Sequence, residues 1–274
     1  MPRPARPLPS ASVILLDKDR GQGEPFGLYL LRRVDKSRFM PGRYVFPGGK
    51  LEPADSGPDP GDGLRQCALR ELWEEAVVIL ATDLRAAAAL DPSRREEVRL
   101  KVAQGRLDLT AGLARLNLAP DPAALTPFAR WITPAARSQR FDATFYLALM
   151  PPGQKAASDL KATSQGLWLG PGQALTENQE GRVSLAPPQV KILGELAGFP
   201  SLEALLTEAQ SRDLSPVRPV LWSDGQRRII LLPWDPDHPL AAPRDPARPG
   251  RPCPAGQASR LVHDQGRWLP YSSP

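Results

Sequence analysis

One short stretch of the chain carries residue types at a spacing that chemistry can use. Arg70-Glu71-Leu72-Trp73-Glu74-Glu75 sets three carboxylates at i, i+3 and i+4 of a helix, positions that share one face. Three like charges there repel one another, which costs helix stability unless a cation sits among them. Hard divalent cations such as Mg²⁺ or Mn²⁺ take oxygen ligands of this kind. Upstream, Pro47-Gly48-Gly49 permits a tight turn whose backbone can approach a ligand or metal closely. Arg70 is placed to orient an adjacent carboxylate or to grip phosphate through its planar fork. An acidic run alone reads as a solvated helix face. What sets this one apart is its company: a Gly-Gly loop, an acid at Asp55, and R-E-x-x-E-E on a helix flanked by strands.

Those residues need elements to hold them. Apolar runs at Val13–Leu16, Leu28–Leu31 and Tyr44–Phe46, separated by turn-rich segments, read as strands. The acid-bearing helix is expected from Asp62, available as its N-cap, to Leu80, with Leu64, Ala68, Leu72 and Ala76 at helical spacing. Further helix is expected from Asp83 to Leu116. Strands resume at Phe128–Ile132, Ala143–Met150 and Leu167–Leu169, and helices at about 188–196 and 201–210. Val220–Trp222 and Arg228–Leu232 flank Ser223-Asp224-Gly225, a hairpin turn signal. From Pro233 onward ten prolines fall within 42 residues, a composition that reads as an irregular tail.

The acidic stretch resembles the Nudix hydrolases, whose box reads G-x5-E-x7-R-E-U-x-E-E-x-G-U. Gly49 opens the box, Asp55 stands at its first acidic position, and Arg70, Glu71, Leu72, Glu74 and Glu75 match the helix. Three departures stand out: Asp55 replaces Glu, fourteen residues rather than seven separate it from Arg70, and Val77 replaces the glycine after the acidic pair. The extra residues fall in or near Ser56–Gly63, a turn-forming sequence that can loop out. Val77 is expected to let the helix run on into Ile79-Leu80. Around the box, Arg32-Arg33, Phe39-Met40-Pro41-Gly42, Tyr44-Val45-Phe46, Trp131-Ile132-Thr133-Pro134, Arg140-Phe141-Asp142, Trp168-Leu169 and Leu185-Ala186-Pro187-Pro188 are similar to the coenzyme A and acyl-coenzyme A diphosphatase subgroup with an enlarged box. The likeness covers about residues 12–232. Six residues before Trp168, where that subgroup implies an acid, stands Ala162, and its work is expected to pass to Asp142 or Asp159.

The resemblance implies an α/β Nudix fold, a mixed β-sheet sandwiched between helices, with a helical insertion and a C-terminal extension. The division it suggests is a flexible N-terminus over 1–10, a hydrolase domain over 11–170, a helical and hairpin extension over 171–232, and the proline-rich tail over 233–274. It implies metal-dependent cleavage of a nucleoside diphosphate derivative, with Glu71, Glu74 and Glu75 holding Mg²⁺ or Mn²⁺. Glu71 and Glu74 would serve catalysis, with Arg70 orienting them. Arg32, Arg33, Arg43, Gly48 and Gly49 would meet substrate; Arg32, Arg33, Lys36 and Arg43 are candidates for the 3′-phosphate of coenzyme A. The expected products from coenzyme A are 3′,5′-ADP and 4′-phosphopantetheine or its acyl form. NADH, ADP-ribose or nucleotide sugars are the alternative substrates, and a non-catalytic nucleotide sensor is the alternative class.

Composition narrows the rest. The chain has 274 residues, 41% hydrophobic and 24% charged, as a globular protein does. No apolar run approaches the roughly 18–20 residues of a membrane helix, and the opening MPRPARPLPS reads as no secretory signal. Two cysteines, Cys67 and Cys253, exclude a disulfide framework or a cysteine-rich zinc site. The expected compartment is the cytoplasm, with no nucleic-acid or membrane partner. Oligomeric state stays open, a homodimer included. Cys67 reads as a small buried side chain, Trp131 and Trp168 as core, and His238 and His263 as solvent-exposed. The net charge of +5 divides into +2 from residues 1–10 and +3 from 241–274, leaving residues 11–240 neutral.

Overall fold

The computed structural model describes residues 4–37, 40–55, 60–223, 225–239, 251–253 and 255–273. In chain order the strands and helices are β1 (Leu8–Asp17), β2 (Gly27–Arg33), β3 (Tyr44–Val45), β4 (Gly48–Lys50), α1 (Pro60–Ala76), α2 (Leu84–Ala88), α3 (Pro92–Ala103), α4 (Leu109–Ala114), β5 (Thr126–Ile132), β6 (Phe141–Leu149) and β7 (Thr163–Leu169). Then come α5 (Pro171–Gln179), α6 (Pro187–Leu196), α7 (Leu202–Ala209), β8 (Val220–Ser223), β9 (Arg228–Leu231), β10 (Arg251–Pro252), β11 (Arg260–Asp264) and β12 (Arg267–Ser272).

Period-two alternation along β1 sets the two faces of the main sheet. Ile14 and Leu16 enter one core and Ala11, Val13 and Leu15 the other, all fully buried. The sheet is mixed, in the order β3-β2-β1-β6-β5, with β4 paired to β1 and β7 to β2. β1 runs parallel to β6 from Leu8↔Phe141 to Leu16↔Leu149, and antiparallel to β4 through Ala11↔Gly49. Residues 8–10, expected in a flexible N-terminus, therefore belong to the central strand. Their backbone groups are taken up by β6, as in the Leu8 N–H to Arg140 carbonyl bond, a partner no local pattern reveals.

Helices cover both faces. α5, α6 and α7 pack over Ile14, Leu28, Phe46 and Phe145, while α1 packs over Val13, Leu15 and Leu31. The stretch expected as helix from Asp83 to Leu116 is three helices, because Asp83, Asp91 and Asp108 each cap a new one by accepting an N–H three residues on. α3 and α4 lie over the outer side of α1, where Trp73, Val98, Val102 and Leu113 share one core. The box helix is thus enclosed by the sheet on one side and the insertion on the other.

α1 departs from expectation at both ends. It begins at Pro60, so Asp62 lies in its first turn rather than at the cap, where its charge still meets the positive end of the helix. It ends at Ala76, and Val77 takes a left-handed φ of +61° instead of carrying the helix onward. The freed carbonyls of Glu75 and Ala76 accept the N–H groups of Asp159 and Ala157, and the Gln154 side chain bonds both the N–H and the carbonyl of Ile79. These contacts hold a conformation that a β-branched residue resists. Val77→Gly is expected to raise stability by roughly 1 kcal/mol, the relief of that strain exceeding the added freedom of the unfolded chain. Thermal unfolding checks this; a lower midpoint would mean Val77 packing outweighs the strain.

The proline-rich end is not an irregular tail in its described part. β8 to β12 form a second, antiparallel sheet in the order β10-β12-β11-β9-β8, and Ile230, Leu261 and Trp268 join the core under α6. Arg260 is fully buried on Asp235 and Asp237, so one of the terminal arginines is a core ion pair. His238, expected at the surface, is 2% exposed, with its Nε2 at 3.2 Å from the Arg218 carbonyl; His263 is half-buried on β11. Phe39, residues 56–59 of the expected Ser56–Gly63 loop and Asp224 of the hairpin turn lie outside the described residues, and 60–63 belong to α1. Among the described residues no helix is long and apolar enough to cross a membrane.

Candidate active site

α1 turns its acids toward β4. Arg70 is the hub: its Nε and Nη2 donate to the two carboxylate oxygens of Asp55 at 2.8 Å each. Its Nη1 donates to Glu71 at 2.8 Å and reaches Glu74 at 3.5 Å, and Nη2 also meets the Lys50 carbonyl. Arg70, Asp55, Glu71 and Glu75 are all buried; Glu74 is half-buried. Burial works against the charge of Arg70, but the bonds to Asp55 and the charge of Glu71 hold it more firmly protonated than a free guanidinium. This is an orienting arrangement, a fork gripping one acid and steering two others.

The glycines serve close approach. The Gly48 N–H donates to Glu75 at 3.0 Å, and a Cβ on Gly49 would fall 2.3 Å from a Glu71 oxygen, so only a glycine lets the strand lie against that carboxylate. Cys67, fully buried, points its Sγ at the Lys50 carbonyl from below, the small core side chain expected of it.

Burial raises the Glu71 carboxyl above its ordinary range, against the pull of Arg70. Burial likewise lifts Glu74 to about 7 and, with the charge of Glu71, Glu75 to about 8. Asp55, Glu71 and Glu74 share a single guanidinium, and Glu75 rests on a backbone N–H. In kind the donors fit a hard divalent cation: buried carboxylate oxygens on one helix face, in excess over the cation bonded to them. Among the described residues no three such side chains already stand as a closed cage; Glu71 and Glu74 turn to Arg70. These raised values carry a pH signature. Folded-state pKa values above the unfolded ones mean stability present in acid and lost as pH rises from about 4.5 through about 8. In chelator, the unfolding midpoint is expected to fall across that window, and a divalent cation at pH 8 to restore it; a midpoint flat in pH would contradict the assignment.

The other expected residues divide. Arg33, Arg43, Gly48 and Gly49 line a cleft of about 450 Å³ beside the box. Arg32 does not line it; it bonds Asp35 and Ser164 at the surface, and Lys36 is exposed. Of the two acids considered in place of Ala162, Asp142 is held by Arg130. Asp159 lies beside α1, its N–H on the Glu75 carbonyl, its carboxylate accepting from Ala162 and Thr163. Trp131 is both core and cleft wall, and Trp168 packs on Tyr29 with centroids 5.2 Å apart. Arg137, Arg228 and Trp268 also line the cleft. No local motif marks them; Trp268 and Arg228 arrive on the second sheet.

Residues 59–196 match the family model of the NUDT19 Nudix domain. The chain belongs to the Nudix hydrolases. Among curated relatives it is 27% identical to the acyl-coenzyme A diphosphatase NUDT19 of Gallus gallus, covering 93% of this chain and 85% of that one. It is 28% identical to the Homo sapiens protein of the same name, over 77% of this chain and 72% of that one. Among solved structures, a NUDIX hydrolase from Alicyclobacillus acidocaldarius superposes with a TM-score of 0.63 at 24% identity, over 77% of this chain and 98% of that one. That likeness is one of fold, and it fits the mixed sheet between helices. As a Nudix hydrolase the chain is an enzyme of diphosphate bonds, a family that generally uses divalent cations. The Val77 departure is accommodated, since that residue takes the left-handed turn a glycine would supply.

Proposed function

We propose that this Nudix hydrolase cleaves the diphosphate of coenzyme A or acyl-coenzyme A, giving 3′,5′-ADP and 4′-phosphopantetheine or its acyl form, with Mg²⁺ or Mn²⁺ held by Glu71, Glu74 and Glu75. The observation that carries the chemistry is the buried Asp55–Arg70–Glu71 network facing Gly48-Gly49 at the edge of a 450 Å³ cleft. The substrate class is favoured by the relatives, which are named acyl-coenzyme A diphosphatases over most of their length.

A divalent cation, when bound, neutralises the diphosphate and makes water a better nucleophile for in-line displacement at phosphorus. The chain supplies the rest. Arg70, anchored by Asp55, orients Glu71 and Glu74 through its Nη1. Gly48 fixes Glu75 through its N–H. Glu71, beside Gly49, is the carboxylate suited to accept a proton from an attacking water. Arg33, whose charge acts on Glu75, stands where a diphosphate oxygen would meet a guanidinium.

Incubation with coenzyme A and Mg²⁺, followed by product identification, tests the reading. It expects 3′,5′-ADP. Turnover of ADP-ribose far faster than coenzyme A would move the enzyme to a different substrate class.

A further inference from the structure

The cleft has a second charged region that the box does not use. Arg43 precedes β3, Arg137 lies between β5 and β6, and Arg228 opens β9 of the second sheet, yet all three line the same cavity. Arg43 donates to the Ser184 hydroxyl at 3.1 Å and to the carbonyls of Leu185 and Gly266 at 2.9 and 3.4 Å. Arg228 lies against the His263 ring at 2.8 Å, with its guanidinium 5.9 Å from the Trp268 ring centre. Their hydrogen-bond acceptors are neutral. The ion pairs of the cleft and its surroundings among the described residues join other arginines, Arg70 to Asp55 and Arg130 to Asp142.

Burial, then the charges of Arg228 and Arg137, lower the pKa of Arg43; burial, then the charges of Arg228 and Arg43, lower that of His263 against the pull of Asp264. By contrast, those acting on Glu75 are Glu71, Arg33 and Asp159. The cleft therefore has two electrostatic regions, one at the box and one at these arginines. Among the described residues no ion pair joins Arg43, Arg137 or Arg228, and Asp264 beside His263 is the acid nearest in effect; gathering guanidiniums so is costly unless an anion is to arrive.

Two further features meet there. The start of α6, from Ala186 to Gln189, lines the cavity, and no side chain caps it; Pro187 and Pro188 offer no N–H, so this end of a ten-residue helix acts there through its dipole. Gln189 is 6% exposed, and its Oε1 has no hydrogen-bond partner.

We propose that Arg43, Arg137, Arg228 and the start of α6 form a subsite for a phosphate monoester of the substrate, separate from the diphosphate that is cleaved. This rests on the coenzyme A reading, in which the group is the 3′-phosphate. A monoester carries nearly two charges at neutral pH, more than either phosphorus of the diphosphate bridge, and suits a cluster of planar donors. The second sheet, supplying Arg228 and Trp268, then acts as a specificity wall rather than a passive extension.

The test is calorimetric binding of 3′,5′-ADP and 5′-AMP to the full chain, joined to kinetics on coenzyme A and its 3′-dephospho form. The wild type is expected to bind 3′,5′-ADP at least about tenfold tighter than 5′-AMP, the scale of one charge-assisted hydrogen bond. R228A and R137A are expected to erase that preference, and the ratio of KM values for dephospho-coenzyme A over coenzyme A is expected to collapse toward one. R228K, keeping the charge, recovers part of it. A loss equal for both nucleotides in a folded variant, or no preference in the wild type, overturns the subsite. If coenzyme A is not hydrolysed while the 3′,5′-ADP preference and its loss in R228A stand, the functional reading falls and the subsite remains.

Discussion

Arg70→Ala is expected to cost about 3–5 kcal/mol of stability, the usual penalty for removing one partner of a buried ion pair. Arg70 is 5% exposed and Asp55 6%. Without the guanidinium, among the described residues Asp55 keeps only the Glu52 N–H and Glu71 has no ion pair. The loss comes from charges left behind rather than from the bond itself. A double substitution that also neutralises the acid, Arg70→Met with Asp55→Asn, is therefore expected to recover a good part of the stability and none of the activity. Chemical denaturation of the three proteins measures this. A loss under about 1 kcal/mol in the single variant would place Arg70 in the range of exposed pairs and contradict its role as the hub.

The reach of sequence reasoning is visible in α1. Positions 70, 71, 74 and 75 share a face because helical geometry is local, and the glycines at 48 and 49 announce close backbone approach by type alone. Strands such as Leu28–Leu31 are legible because a short apolar run bounded by turn residues speaks of burial without naming the partner. The end of α1 is not: Val77 argues for continued helix by its own preference, and only the chain at 154–159, folded back onto the freed carbonyls, overrides it. Asp83, Asp91 and Asp108 each stand ahead of a helical run, a local capping signal that divides the insertion into three helices.

The second sheet was hidden for a different reason. Proline content argues against a packed core, but Pro270 sits in β12 with its carbonyl taking the Cys253 N–H, and Arg260 is charged yet buried on Asp235 some twenty-five positions earlier. Composition cannot foresee such pairing, and neither Arg228 nor Trp268 carries a local signal of its place on the cleft wall. The box alone thus gave the acidic half of the cleft, while the cationic half depends on contacts between distant segments. The neutral balance of residues 11–240 conceals this separation, since Arg43, Arg137 and Arg228 stand apart from the glutamates in the fold.

Glu75→Gln is expected to move stability and activity in opposite directions. Glutamine keeps the shape, and its amide oxygen can still accept the Gly48 N–H, so the packing survives. It removes a buried charge whose pKa is raised by burial and by the charge of Glu71. At pH 8, without divalent cation, the variant is therefore expected to unfold at a higher temperature than the wild type, and at pH 5, where the wild-type carboxyl is protonated, at about the same one. Turnover behaves otherwise. Losing one charged oxygen donor to a divalent cation is expected to lower kcat about a thousandfold, or some 4 kcal/mol of transition-state stabilisation. A purely structural glutamate would show the first effect without the second. A kcat within tenfold of the wild type would remove Glu75 from the proposed ligand set, whereas a stable and inactive variant is the pattern expected of a carboxylate kept buried for catalysis at the expense of the apo fold.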